Sequence, residues 1–159
     1  MKVYRIYRKQ TLPISIDNAW EFFSSPRNLE HITPDYMNFK ILEISGGETM
    51  YAGQIIRYKV NILPKIPVLW TTEITHMERG SMFVDEQRVG PYRLWHHQHF
   101  FFEVDGGVET VDEVHYALPM GFLGRIAHGL FVEKQLKTIF DYRKDALNQR
   151  FSQVKSTIV

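Results

Sequence analysis

The chain has 159 residues, a formal net charge of +1 from 19 basic and 18 acidic side chains, and no cysteine. That length suits one domain with a core of its own. The missing cysteines exclude disulfides, thiolate metal sites and a cysteine nucleophile, and the near-zero charge offers no field to hold a polyphosphate backbone, so nucleic acid is excluded as a partner.

In chain order, Lys2 to Leu12 alternates as a strand. The opening MKVYRIYRKQ lacks the apolar run of a signal peptide, and no segment approaches the ~20 apolar residues of a membrane span, so the expected location is the cytoplasm. Pro13 leads into SIDNAWEFFSS, where Ser15 is placed to cap a short helix with Asp17 in its first turn. Ser25-Pro26 opens a second short helix, with a helical run from Arg27 to Thr33 ended by Pro34.

From Asn38 the period changes to two. Strands are expected at 38–45, 53–63, 67–78, 82–89, 93–104 and 108–118. Gly46-Gly47, Pro64 to Pro67, Gly80-Ser81, Gly90-Pro91 and Gly106-Gly107 separate them as hairpin turns would. From Phe122 to about Phe151, apolar residues including Ile126, Leu130, Leu136, Ile139, Phe140 and Leu147 recur near a 3.6-residue period, which predicts one long amphipathic helix. The expected domain is 1–152, followed by a polar tail at 153–159. The order β-αα-ββββββ-α describes an α+β domain whose single antiparallel sheet curls and is covered by the last helix.

Three stretches, PISIDNAWEFFSSPRNLEHITPDYMNFKI, GPYRLWHHQHFFFEVDGG with DEVHYALPMGFLG, and VEKQLKTIFDYRKDAL, resemble the START-like, or SRPBCC, superfamily. That superfamily includes lipid-transfer START domains, the birch-pollen-allergen family and polyketide cyclases. The resemblance covers nearly the whole chain and is closest to small bacterial ligand-binding members. It implies a helix-grip fold: a seven-stranded sheet wraps the C-terminal helix and leaves a cavity between them. It implies no particular ligand.

Register then sorts the histidines of the 93–104 strand. With Gly106-Gly107 as the turn, Asp105 pairs with Val108, His99 with Val114, His97 with Tyr116 and Phe101 with Asp112. One face carries Trp95, His97, His99, Phe101 and Glu103 with Thr110, Asp112, Val114, Tyr116 and Leu118; the other carries Glu109, Glu113 and His115. Burying those three together is costly, so the first face is assigned to the interior. Ile56, Tyr58, Val60 and Ile62, with Val68, Trp70, Thr72 and Ile74, also face inward by alternation. The resemblance adds Phe83, Asp85 and Gln87 from the 82–89 strand, and places the start of the last helix over the cavity, with Ile126 and Leu130 beside Gly129. The candidate binding residues are therefore Trp70, Asp85, Gln87, Trp95, His97, His99, Phe101, Asp112, Tyr116, Ile126 and Leu130. A mostly apolar wall with a few convergent polar groups is how small-molecule pockets are built.

The polar cluster admits three chemistries. As metal ligands, His97-x-His99-x-x-x-Glu103 reproduces part of the first cupin motif. The second motif is missing, Glu103 should lie about 13 Å along the strand from His99, and only Asp85 or Asp112 could complete a triad, so no metal and no cofactor are expected. As catalysts, His97 or His99 paired with Asp112 or Asp85 would form a general base, the role a cyclase- or dehydratase-like enzyme needs. As structural groups, the same side chains would satisfy each other's buried hydrogen bonds. Trp20, Phe22 and Phe23 read as core, and His31, His76 and His128 as surface. The expected function is binding of a small hydrophobic molecule, a lipid, isoprenoid or aromatic polyketide-like compound; the other readings are that enzyme and an interaction module whose interior is packed solid.

Overall fold

The computed structural model describes residues 1–63 and 65–152. The tail at 153–159, Pro64 and the side chain of His128 lie outside the described residues.

Strand β1 (Tyr4–Leu12) is followed by helix α1 (Ile16–Phe23), two 3-10 turns (Pro26–Ile32 and Asp35–Met37), and strands β2 (Lys40–Ile44), β3 (Ile55–Leu63), β4 (Ile66–Glu78), β5 (Met82–Val89), β6 (Leu94–Val104) and β7 (Gly107–Ala117). The Ser15 Oγ accepts the Asn18 N–H at 3.2 Å, so the expected cap starts α1, and Ala19, Trp20 and Phe22 form its buried face. Pro26 opens the second short element, but Ser25 makes no side-chain cap bond and the element is 3-10 rather than α. The second 3-10 turn, unforeseen in the sequence, ends on Asn38 in the left-handed region.

The seven strands form one antiparallel sheet in the order β1-β7-β6-β5-β4-β3-β2. Each strand from β2 to β7 pairs with its neighbour in the chain, as the short turns require, and β1 closes the far edge on β7. Register breaks between Thr71 and Thr72 and between Ile74 and His76, where β4 meets β5, are the bulges that bend such a sheet. Acidic and basic side chains pair across the outer face: Arg5–Glu113 at 2.8 Å, Lys9–Glu109 at 2.9 Å, Arg57–Glu43 at 2.7 Å and Arg88–Glu73 at 2.6 Å. Glu109 and Glu113, whose burial would have been costly, are thus paired on the outside.

The β6–β7 turn differs from the expected one. Its two residues are Asp105 and Gly106, so Val104 pairs with Gly107, His99 with Asp112, His97 with Val114 and Phe101 with Thr110. Gly106 takes the left-handed conformation of the turn, at φ +85°. Gly107 is instead a strand residue at which a Cβ would sit 1.9 Å from the Leu12 carbonyl oxygen, so the second glycine is there for the close approach of β1. The register moves by two residues, which changes every partner and no face. Glu103, expected inside, lies on the exposed end of β6.

The last helix is also interrupted. Helix α2 (Gly121–Ala127) runs into a wide π turn (His128–Val132) before α3 (Glu133–Ser152) begins. A π turn adds a residue to the helical period, so the apolar positions of α2 do not continue the stripe of α3. That stripe buries Leu136, Phe140, Leu147 and Phe151 on the concave side of the sheet. The Gln135 amide donates to the Ile62 carbonyl and fixes the first turn of α3 to the end of β3. None of the described helices is long and apolar enough to cross a membrane.

Candidate functional site

Between the concave sheet and α3 the core divides. Trp20, Phe22, Phe83 and Phe101 pack with Leu147 and Phe151 at one end, while Ile6, Val114, Tyr116, Leu136 and Phe140 pack at the other. A cavity of about 180 Å³ lies between them, lined by the inward residues of β3, β4, β5 and β6, by the 3-10 segment and by one face of α3. Its aromatic wall is continuous. Trp70 stacks on Tyr58 at 5.9 Å and meets Trp95 edge-on at 5.3 Å, and Tyr92 lies 4.8 Å from Trp95. Thr72 accepts the Trp70 indole N–H at 3.1 Å and lies 3.3 Å from the Tyr58 hydroxyl, so the polar edges of the wall are satisfied within it.

Among the described residues, the charged side chains in these walls form one cluster. Asp85 of β5 stands opposite His97, and Asp112 of β7 stands opposite His99, so alternation alone brings two imidazoles and two carboxylates to the same sheet face. Since ionised carboxylates only accept, His97 Nε2–H donates to Asp112 at 3.0 Å and His99 Nε2–H donates to Asp85 at 2.8 Å. The remaining nitrogens close a ring: His97 Nδ1 is 3.3 Å from Asp85, and His99 Nδ1 is 3.0 Å from Asp112. His97 and His99 are 4% and 7% exposed, and the His99 ring stacks on Phe83 at 4.1 Å.

The charges of the cluster support one another. Burial alone would raise the carboxyl groups, but contacts with His97 and His99 outweigh it and hold Asp85 well below the usual carboxylate range. Asp112 is held down likewise against the same burial penalty, by His97, His99 and the guanidinium of Arg143. For His97 burial opposes the charged form, yet Asp85 and Asp112 prevail and its pKa is raised. Elsewhere in the wall burial pushes the Tyr58 and Tyr92 hydroxyls up, keeping both neutral. Among the described residues, Asp85, His97 and His99 also have the spacing of a metal triad, with one ligand atom from each lying within 4.8 Å of the others. Each of those atoms is already engaged by a ring partner, and the nearby guanidinium is unfavourable to a second cation.

Of the residues expected at the site, Trp70, Asp85, Trp95, His97 and His99 line the cavity. Asp112 stands behind the imidazoles as their partner. Gln87 instead holds the β5–β6 loop, donating to the Tyr92 carbonyl at 2.6 Å and accepting the Tyr92 N–H at 3.2 Å, which sets the Tyr92 ring in the wall. Phe101 packs in the core between Trp20 and Phe23, and Tyr116 is buried against Trp95 and Tyr92. Ile126 and Leu130 are 44% and 73% exposed rather than over the cavity, because of the phase change at the π turn. Phe22 and Phe23 line the cavity as well as packing in the core.

Sequence reasoning missed Arg143 and Tyr92. Arg143 lines the cavity from α3, only 12% exposed, with its guanidinium over the Phe140 ring and Nη1 3.4 Å from Asp112. Its signal was its position: at 143 it falls within the apolar repeat 136, 140, 147 rather than on the solvent side. Tyr92 follows a Gly-Pro pair that reads only as a turn.

Neither a family model nor a curated protein matches the sequence. Solved structures do match the fold. A protein from Thermus thermophilus is 14% identical with a TM-score of 0.69, covering 95% of this chain and 99% of its own. One from Chromobacterium violaceum is 10% identical with a TM-score of 0.71, over 92% and 96% of the two chains. Ginseng major latex-like protein 151 from Panax ginseng is 9% identical with a TM-score of 0.66, over 94% and 97%. The chain therefore has the helix-grip fold of the birch-pollen-allergen-like proteins, over almost its full length.

Proposed function

We propose that this domain binds a small, mostly apolar molecule in the cavity, with the Asp85, His97, His99 and Arg143 cluster recognising its polar end. The observation that carries this reading is a cavity walled by Tyr58, Trp70, Tyr92 and Trp95 in which the charged side chains, among the described residues, are gathered in that cluster. An apolar cavity of about 150 Å³ is enough to hold benzene, so a volume of about 180 Å³ favours an aromatic, isoprenoid or short aliphatic body over an extended lipid chain. Removing ~300 Å² of apolar ligand surface from water is worth about 7 kcal/mol before association costs, consistent with micromolar affinity. All four imidazole nitrogens lie within 3.3 Å of a carboxylate oxygen, which counts against proton abstraction by either ring.

The test uses a neutral probe, 2-naphthalenemethanol, titrated by calorimetry, with native mass spectrometry of the purified protein for co-purifying small molecules. Binding in the micromolar range, weakened about tenfold or more in Trp95→Ala, is the expected result. No heat from this probe or from decanol, together with an empty mass spectrum, overturns the reading.

A further inference from the structure

Arg143 is poorly matched to a purely structural role. A guanidinium carries five N–H donors, yet Arg143 makes one contact with a carboxylate, the longest in the cluster at 3.4 Å, and its buried Nε has no partner among the described residues. The oxygen it touches is already served: Asp112 Oδ1 has His97 Nε2 and His99 Nδ1 each at 3.0 Å. Asp85 is likewise served by both imidazoles, at 2.8 and 3.3 Å. The two histidines thus meet the needs of the two aspartates, and Arg143 is left as the surplus donor of the cluster at the cavity wall. Burying an arginine there is costly unless something pairs with it.

We infer that the ligand is an apolar acid, its carboxylate paired with the Arg143 guanidinium and its body lying along the Trp70–Trp95 wall. This rests on the binding reading above and specifies its ligand class. The chemistry is that of a planar fork meeting a planar anion, in which two parallel N–H···O bonds fix orientation as well as charge. A neutral alcohol of the same body would leave the fork with only its 3.4 Å contact to Asp112. The volume of about 180 Å³ sets the scale of the body at one or two fused rings, or an equivalent short chain.

The experiment compares 2-naphthoate with 2-naphthalenemethanol by calorimetry at pH 7 and low salt, in the wild type, Arg143→Met and Arg143→Lys. The expected wild-type result is about ten- to a hundredfold tighter binding of the acid. The acid-to-alcohol ratio should fall to near one in Arg143→Met and to an intermediate value in Arg143→Lys, which keeps the charge and loses the fork. If wild-type protein binds the alcohol as tightly as the acid, or if the ratio survives in Arg143→Met, the acid inference fails while the binding reading stands. If neither probe binds, the acid inference fails, and the binding reading fails with it when decanol gives no heat and the mass spectrum is empty. Should Arg143→Met not fold, the wild-type ratio and Arg143→Lys decide, and an unchanged ratio in Arg143→Lys overturns the inference.

Discussion

A single oxygen of Asp112 accepts from His97 and Arg143 and lies 3.0 Å from His99 Nδ1, so removing its charge leaves three nitrogens around a neutral group in a largely buried place. Asp112→Asn should cost about 3–5 kcal/mol, the usual consequence of breaking a buried ion pair from one side, measured as the shift in urea unfolding. The pH dependence follows from the directions of the shifts. Both aspartates lie below the ordinary value of 3.8, so the stability they contribute is present above about pH 4 and disappears as the pH falls through their folded values. His97 is raised above 6.5, so its share is complete below that pH and disappears as the pH climbs through its folded value. Unfolding free energy plotted against pH should therefore fall on both sides of a mildly acidic maximum, and His97→Gln should flatten the alkaline limb. An alkaline limb of unchanged slope in that variant would contradict the assignment. At this scale the sequence was informative where burial cost decides: Glu109 and Glu113 cannot share an interior face, which turns His97 and His99 inward. Arg143 was harder to find because a charged helical residue ordinarily belongs to the solvent side.

The hairpin between β6 and β7 shows what a two-residue turn signal leaves open. Two consecutive glycines fit a turn at either register, and the choice depends on β1, which is remote in sequence and presses its Leu12 carbonyl against Gly107. Gly107→Ala should destabilise the protein by about 2–4 kcal/mol, in the range reserved for backbone clashes and strain, whereas Gly106→Asn, which accepts a left-handed turn, should cost far less. Thermal unfolding of the two variants separates them, and equal losses would remove the distinction drawn between the two glycines. The end of the chain was legible as a helix but not as an interrupted one. Gly121, Gly124 and Gly129 weaken the helical period without saying where it breaks, and the π turn falls at His128–Val132, just before α3.

Element order and sheet class followed from the switch of period and the short turns, but the size of the hollow depends on how far α3 stands off a bent sheet, and no local pattern encodes that distance. A larger side chain on the α3 wall tests it. Ile139→Phe should fill part of the cavity, leaving stability within about 1.5 kcal/mol of wild type while lowering affinity for a naphthyl probe more than tenfold. Severe destabilisation would mean that the space is already filled. The outermost strand has a consequence of its own. β1 hydrogen-bonds along its whole length to β7, Tyr4 opposite Tyr116, so the earliest strand of the domain to be synthesised has no place to dock until the latest has followed it. That margin of the sheet can therefore close only after β7 has been made, and a pairing between partners so distant in the chain is of the kind that slows folding.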